Sequence, residues 1–363
     1  MSKILISGYY GFSNAGDEAM LTAIVTALQQ QEPTIEITVI SGHPQVTETL
    51  HPGVQAVHRF NPFGILKAMS QADLLLSGGG SLLQNVTSQV SLFYYLSIIA
   101  LAGLMGCHCM LFAQGIGPIR GGFCRWLTKK VCAGADLITV RDDGSLEDLS
   151  AMGLDPEQIL VTSDAVFNLP QGRPEQGRQL LTQWGMDPDR PVIAFALRHW
   201  KGEKRFVKEF AKAADELKQQ YKAQILFLPL QFPADAQLSE SVQKAMEDTS
   251  DVFILAQRCS TQQYQDIISQ VHLLIGMRLH ALVFAAINDV PLMAVSYDPK
   301  VDRFVAGMKG HVVNTIDKVT KEEITAMAQQ LWQADGRQER QEILALRQEA
   351  ARNISRALAL TKK

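Results

Sequence analysis

The chain opens on a short, β-rich apolar run at residues 3–7 that stops at a glycine, after which Leu21, Ile24, Val25 and Leu28 recur at the spacing of one helix face. The pattern predicts strand, glycine loop, helix. Similar apolar runs at residues 35–41, 72–77, 109–114, 135–140 and 159–162 repeat it, the run at 72–77 leading into GGG and the run at 109–114 into GIGP. Residues 168–191 turn polar and rich in proline, glycine and glutamine, the composition of a boundary between domains. A second series of apolar runs follows at 192–197, 225–229, 252–255, 273–275 and 291–296, with helical spacing at 206–221 and 261–269 between them. Near the end, Ile343, Leu346, Ala350, Ile354, Ala357 and Leu358 mark one face of an amphipathic helix.

Strands that alternate with helices form parallel sheets with right-handed crossovers, and ligands gather at the carboxyl ends of such strands. The expected fold class is therefore α/β, with two Rossmann-like domains whose parallel sheets face each other across a cleft, as in the glycosyltransferase-B architecture. The expected limits are residues 1–170 for the N-terminal domain, 190–340 for the C-terminal domain and 341–363 for the terminal helix. A length of 363 residues suits two domains rather than one or three.

A hydrophobic content of 47% with 20% charged residues is that of a globular chain, and leaves no room for a long disordered tail. With a net charge of −3 and no basic stripe, nucleic acid is excluded as a partner. Cys107, Cys109, Cys124, Cys132 and Cys259 form no CxxC pair and no zinc spacing with histidine, so they read as reduced thiols and no metal is expected. Without a signal-peptide pattern at the start, a cytoplasmic protein is expected. Residues 90–106 resemble a membrane span but number 17 and contain two serines, short of the roughly 20 a spanning helix needs. They read as a buried helix. A lipid-bearing substrate would make the same segment a place to lean on the inner face of the membrane.

Candidate chemistry sits where the apolar runs end. In GYYGFSNAGDEAM, Gly8 and Gly11 permit a tight turn before a helix whose free N–H groups suit an anion, although the spacing is not GxGxxG. Asn14, Asp17 and Glu18 are unexpected there, because carboxylates repel an anion unless one acts as a base or holds a sugar hydroxyl. The plainer reading is that Asp17 and Glu18 favour the helix dipole. Gly79 and Gly80 in SGGGSLL, and Gln114 in QGIGP, supply further loop backbone and amide groups, or mark tight turns only. In IGMRLHAL, Arg278 and His280 alternate with apolar residues, an arrangement that calls for an anion or a carboxylate near by. Lys300 in SYDPKV, Arg198 in ALRHW and Arg141 in TVRDDGS complete a possible cationic cluster, or are solvated strand ends.

These segments, GYYGFSNAGDEA, LLLSGGGSLLQ, LFAQGIGP, ITVRDDGS, TSDAVF, LPLQFPAD, GMRLHAL and VSYDPKV, occur in an order and spacing that resemble the polysaccharide pyruvyl transferase family, most closely its CsaB-type members. The resemblance implies a glycosyltransferase-B-like fold and phosphoenolpyruvate as donor. It also implies a pyruvate ketal formed on N-acetylmannosamine of a lipid-diphosphate-linked disaccharide, a modification that anchors surface-layer proteins to the cell wall. It places donor binding on Arg141, His280 and Lys300, with Arg278 and Arg198 as neighbours.

For the chemistry, His280 is the expected general acid or phosphate-stabilising group and Asp17 the expected base on the sugar hydroxyl. Asn14, Glu18, Gly79, Gly80 and Gln114 are the expected acceptor site. Phosphoenolpyruvate enters as co-substrate and no cofactor is required, because cationic side chains can neutralise its phosphate. The competing readings are a glycosyltransferase that uses a nucleotide sugar and a non-catalytic sugar-phosphate sensor. Self-association into a homo-oligomer and contact with the membrane stay open.

Overall fold

The computed structural model describes residues 2–12, 14–86, 88–308, 311–333 and 337–362. The chain forms two compact units: Met1–Leu169 together with Ala345–Lys363, and Pro170–Leu344.

The first unit contains β1 (Lys3–Tyr10), α1 (Ala15–Gln31), β2 (Glu36–Ser41), α2 (Pro44–Leu50), β3 (Val54–His58), α3 (Pro62–Gln71) and β4 (Leu74–Gly78). It continues with α4 (Gln89–Met105), β5 (His108–Gln114), α5 (Gly122–Cys132), β6 (Leu137–Val140), α6 (Asp143–Ser150) and β7 (Ile159–Val161). All seven strands are parallel, in the order β3-β2-β1-β4-β5-β6-β7.

The second unit contains α7 (Pro174–Gln183), β8 (Val192–Ala196), α8 (Glu203–Tyr221), β9 (Gln224–Phe227), α9 (Ala234–Ala245), β10 (Val252–Ile254) and α10 (Thr261–Ile268). Then come β11 (Leu273–Gly276), α11 (Leu279–Ile287), β12 (Leu292–Ser296), α12 (Pro299–Gly307), β13 (His311–Thr315) and α13 (Lys321–Gln333). Its six strands are also parallel, ordered β10-β9-β8-β11-β12-β13. In each sheet the chain starts in the middle, winds to one edge, and returns past its first strand. This order creates a switch point between β1 and β4, and another between β8 and β11, where loops diverge and leave a crevice.

Local chemistry explains the element ends. The Asn14 side chain accepts the Gly16 N–H and starts α1, while Ser260 and Gln263 form a reciprocal capping box on α10. Ser88 caps α4, which ends at Gly106 in the left-handed region with φ 71°. Strands such as β4 (LLLSG) and β8 (VIAFA) are buried along their whole length, as expected of parallel strands covered on both faces.

No apolar run marks β3 or β13 in the sequence. Both lie at sheet edges, and VQAVH and HVVNT mix polar with apolar residues instead of running apolar. β1 also reaches three residues past the expected stop. A register shift between Ser7 and Tyr10 keeps it paired with β2, and a side chain at Gly8 would sit 2.3 Å from the Tyr10 ring.

Two cores flank the first sheet. α1 packs on one face, α3, α4 and α5 on the other. The last helix, α14 (Arg337–Leu360), contributes Ile354, Ala357 and Leu358 to the α1 core. Asn353, fully buried, donates from Nδ2 to Thr162 Oγ1 at 2.7 Å and fixes that helix to the end of β7. Among the described residues no helix is long and apolar enough to cross a membrane.

Candidate functional site

The first unit gathers its loop residues at the β1/β4 switch point. Gly11 has φ 79°, and a Cβ there would lie 2.3 Å from Ser41 Oγ, so only glycine fits. Its N–H donates to Glu18 Oε1 at 2.9 Å, so Glu18 reaches back from α1 to close the loop. Asn14 is the helix cap. Tyr10 donates from its hydroxyl to the Gly78 carbonyl at 2.7 Å and ties the β1 loop to β4. Burial, and secondarily the nearby charge of Asp17, hold that phenol well above its ordinary pKa.

Gly79 and Gly80 both adopt positive φ, 74° and 77°, and the Gly80 α-carbon faces Asp17: a Cβ there would be 3.4 Å from Asp17 Oδ1. Asp17 therefore lies against the glycine turn. Gln114 is fully buried below this edge, donating from Nε2 to the Ser77 carbonyl at 2.8 Å and to Ser77 Oγ at 3.0 Å. Its Oε1 has no partner among the described residues. The preceding Ala113 is held at φ 47°, a left-handed conformation unusual for a side chain with a Cβ, and its N–H is taken by Thr139 Oγ1 at 2.8 Å.

Arg141, at the end of β6, donates from Nη1 to Asp164 Oδ2 at 2.9 Å and from Nη2 to Ser81 Oγ at 3.1 Å, and its side chain is only 6% exposed. Gly115 makes room for it, since a Cβ there would lie 2.7 Å from Nη2. The guanidinium is thus matched by a carboxylate of its own unit.

Two residues that the sequence reading did not single out belong with this group. Arg59, after β3, sets its guanidinium over Tyr94 at 4.4 Å, Phe60 at 5.2 Å and Phe12 at 5.3 Å. No carboxylate pairs with it and its Nε has no hydrogen-bond partner among the described residues. The Tyr95 hydroxyl is buried and likewise without a partner among them; burial raises its pKa, with Arg59 opposing and Asp17 adding to the shift. A lone arginine inside the aromatic run HRFNPF was the available signal.

In the second unit Arg278 caps α11 at the end of β11. It makes a two-pronged pair with Asp235, Nε to Oδ2 at 2.8 Å and Nη2 to Oδ1, and a further bond from Nη2 to Gln231 Oε1 at 3.1 Å. Asp235 is fully buried and also accepts the N–H groups of Leu230 and Gln231 at 3.1 and 2.9 Å. This pair fixes the start of α9 to the end of β11. His280 lies half-buried in the first turn of α11, at the positive end of its dipole.

Arg198 follows β8. It donates from Nη1 to the Tyr297 hydroxyl at 2.7 Å, and its guanidinium lies 4.4 Å from the Tyr297 ring and 5.8 Å from the Trp200 ring. Its Nε is buried without a partner, and no carboxylate pairs with it among the described residues. Lys300, in the first turn of α12, places Nζ 5.9 Å from the same Tyr297 ring and 3.7 Å from Asp298 Oδ2. Tyr297 therefore brings Arg198, after β8, and Lys300, after β12, together, and the strand between those two in the sheet is β11, which is followed by α11 and its His280.

Four of the thiols are held protonated: burial pushes Cys107 and Cys259 up to about 11, Cys132 up to about 12, and Cys109 upward too. Among the described residues no three histidine, cysteine, aspartate or glutamate side chains are grouped to hold a metal ion. The arrangement can bind an anion with Arg198, Lys300 and a helix N-terminus, and can move a proton at His280.

Comparison with known proteins sets this geometry in context. No curated protein sequence matches the chain. Among solved structures it is similar to the UDP-GlcNAc 2-epimerase from Neisseria meningitidis bound to UDP-GlcNAc, at 13% identity and TM-score 0.67, covering 99% of this chain and 100% of that one. It is similar to the S. aureus MnaA-UDP co-structure at 14% identity and TM-score 0.65, over 100% and 98% of the two chains. For E. coli ADP-heptose lps heptosyltransferase II the values are 14% and 0.56, over 92% and 98%. At such identities these likenesses speak for the fold alone, which is α/β of the glycosyltransferase-B type, as the alternation of strands and helices implies. The sequence itself matches the family model for polysaccharide pyruvyl transferase over residues 14–299, and the chain belongs to the polysaccharide pyruvyl transferase family.

Proposed function

We infer that the protein transfers the pyruvyl group of phosphoenolpyruvate to two hydroxyls of one sugar, forming a ketal. The acceptor in this reading is N-acetylmannosamine in a lipid-diphosphate-linked disaccharide, a precursor of the cell-wall glycan to which surface-layer proteins attach. The observation that carries it is Arg198: a cation braced by Tyr297 and Trp200, with a buried Nε still to be satisfied and no carboxylate partner among the described residues. A charged donor buried short of partners is costly, and a small anion relieves it.

Phosphoenolpyruvate supplies a carboxylate and a phosphate on one three-carbon frame. Arg198 and Lys300 bind these groups, and the amino end of α11 adds its dipole. His280 gives a proton to the methylene carbon, which becomes a methyl group, and positive charge develops on the carbon that bears phosphate. One sugar hydroxyl attacks that carbon, the carbon–oxygen bond to phosphate breaks, and the second hydroxyl closes the ring. The two hydroxyl protons balance the one placed on the methyl group and the one that leaves with phosphate. Asp17 is assigned to the hydroxyl proton, next to the glycine turn. Arg141 and Arg278, whose charges are matched by Asp164 and Asp235, act in this reading by holding loops rather than by lending unpaired charge.

Incubation with phosphoenolpyruvate and the lipid-linked disaccharide should yield a product heavier by pyruvate less water, with one phosphate released per ketal, and chelation with EDTA should leave the rate unchanged. His280→Ala should lower turnover by about 10²–10⁴-fold with the unfolding midpoint unchanged. Retained turnover removes His280 from the mechanism. Consumption of a UDP-sugar instead of phosphoenolpyruvate would replace the reading with nucleotide-sugar glycosyl transfer.

A further inference from the structure

From Leu74 to Ala135 the sequence contains no aspartate or glutamate, while Arg120, Arg125, Lys129 and Lys130 all fall within it. Asp73 is the only acid between Thr49 and Ala135, a stretch that adds Arg59 and Lys67. For a chain with a net charge of −3, this segregation calls for a cause. The fold supplies a location: α3, α4 and α5 are drawn from this segment and together cover one face of the first sheet. Their outer surfaces are accordingly basic or uncharged. Acids return with Asp136, which pairs with His108 before β6, and at the border, at the start of and on α6, with Asp142, Asp143, Glu147 and Asp148.

The same surface is apolar beyond what a water-facing helix needs. α4 has no charged residue in its 17 positions, and Val90 and Leu104 on its outer stripe are 77% and 86% exposed. Phe60, just before α3, and Phe63, in its first turn, are 74% and 82% exposed; Phe123 and Trp126 on α5 are 63% and 53% exposed. These are continuous. The Phe93 and Phe123 rings meet at 6.3 Å, joining α4 to α5, and Tyr94 donates from its hydroxyl to the Arg59 carbonyl at 3.3 Å, joining α4 to the approach to α3. Lys130 lies 5.4 Å from the Trp126 ring, which puts a cation at the edge of the apolar area. A polar helix face would be cheaper in water, and extended apolar patches mark contact surfaces.

We propose that this face of the first unit docks on a membrane surface rich in anionic lipid. Exposed aromatic and aliphatic side chains enter the boundary between headgroups and acyl chains, and lysines and arginines lie at the level of lipid phosphates. The charge argument selects this occupant: an apolar face of a second copy gains nothing from an acid-free surround, and two such faces would bring like charges together. A nucleic acid would not call for these six exposed apolar side chains on the outer surface. The contact is peripheral, since no helix among the described residues can span.

The test is co-sedimentation of the full chain with phosphatidylglycerol vesicles and with phosphatidylcholine vesicles. Phosphatidylglycerol should capture the protein at least tenfold better, and added salt should weaken capture as screening predicts. Phe123→Ser with Trp126→Ser should reduce capture by tenfold or more, and Lys129→Glu with Lys130→Glu should abolish the preference for anionic lipid. All four side chains are exposed, so both variants should unfold at the wild-type midpoint. Equal recovery with either lipid, no capture at all, or capture insensitive to both variants overturns the proposal. So does a dimer in lipid-free solution that the Phe123 and Trp126 changes split, because the face would then be a self-association surface. Vesicle capture needs no turnover, so its outcome is independent of whether the chain makes a ketal.

Discussion

Single residues decide how much positive charge is available to a ligand. Arg141, Arg198 and Arg278 look alike in the sequence, each an arginine just past an apolar run. Asp164 and Asp235 distinguish them, and lie 23 and 43 positions from the arginines they hold. Because Asp235 is fully buried and also accepts two backbone N–H groups, removing it strands a guanidinium and opens a loop. Asp235→Ala should destabilise the second unit by about 3–5 kcal/mol, measured by urea unfolding. A loss under about 1 kcal/mol would mean the pair is solvated and contributes little.

His51 carries a pH dependence. It is 6% exposed, its Nε2 has no partner among the described residues, and burial pushes its imidazole down to about 4. Between about pH 6.5 and that value the unfolded chain binds a proton that the native state refuses. Stability contributed by neutral His51 is therefore complete above the unfolded pKa and is lost as pH falls toward 4, by up to about 3 kcal/mol. His272, lowered for the same reason, adds in the same direction. In His51→Phe, the fall in unfolding free energy between pH 7 and pH 4 should be shallower by that amount; an unchanged slope would place the titration elsewhere.

Among elements, those buried on both faces were readable and those at edges were not. β4 and β8 announce themselves as continuous apolar runs, whereas β3 and β13 form a ladder on one side only and keep polar positions. α14 shows the opposite limit. Its apolar spacing marks a helix with one buried face, but the spacing says nothing about which surface receives it. Ile354 and Leu358 pack into the α1 core, and Asn168 Nδ2 donates to the Ala350 carbonyl at 3.3 Å. A chain ending at residue 344 should lose several kcal/mol from the first unit, at about 1.5–3 kcal/mol for each large apolar side chain. Limited proteolysis should then cut the first unit while the second stays resistant; equal resistance of both would show α14 to be dispensable.

For the whole molecule, the alternation of strands and helices already implied parallel sheets, and the loops at strand ends already held the residue types suited to a small anion. The family follows from the order of those loops. These are local properties, set by hydrophobic period, glycine placement and residue type within a few positions. What the tertiary structure alone decided was pairing over distance: which arginines have carboxylate partners, that Tyr95 feels the charges of both Arg59 and Asp17, and that an acid-free stretch of chain becomes one face. Strand order and helix docking bring residues together that are tens of positions apart, and no local pattern encodes the three-dimensional distance on which an ion pair, an orphaned donor or a surface patch depends.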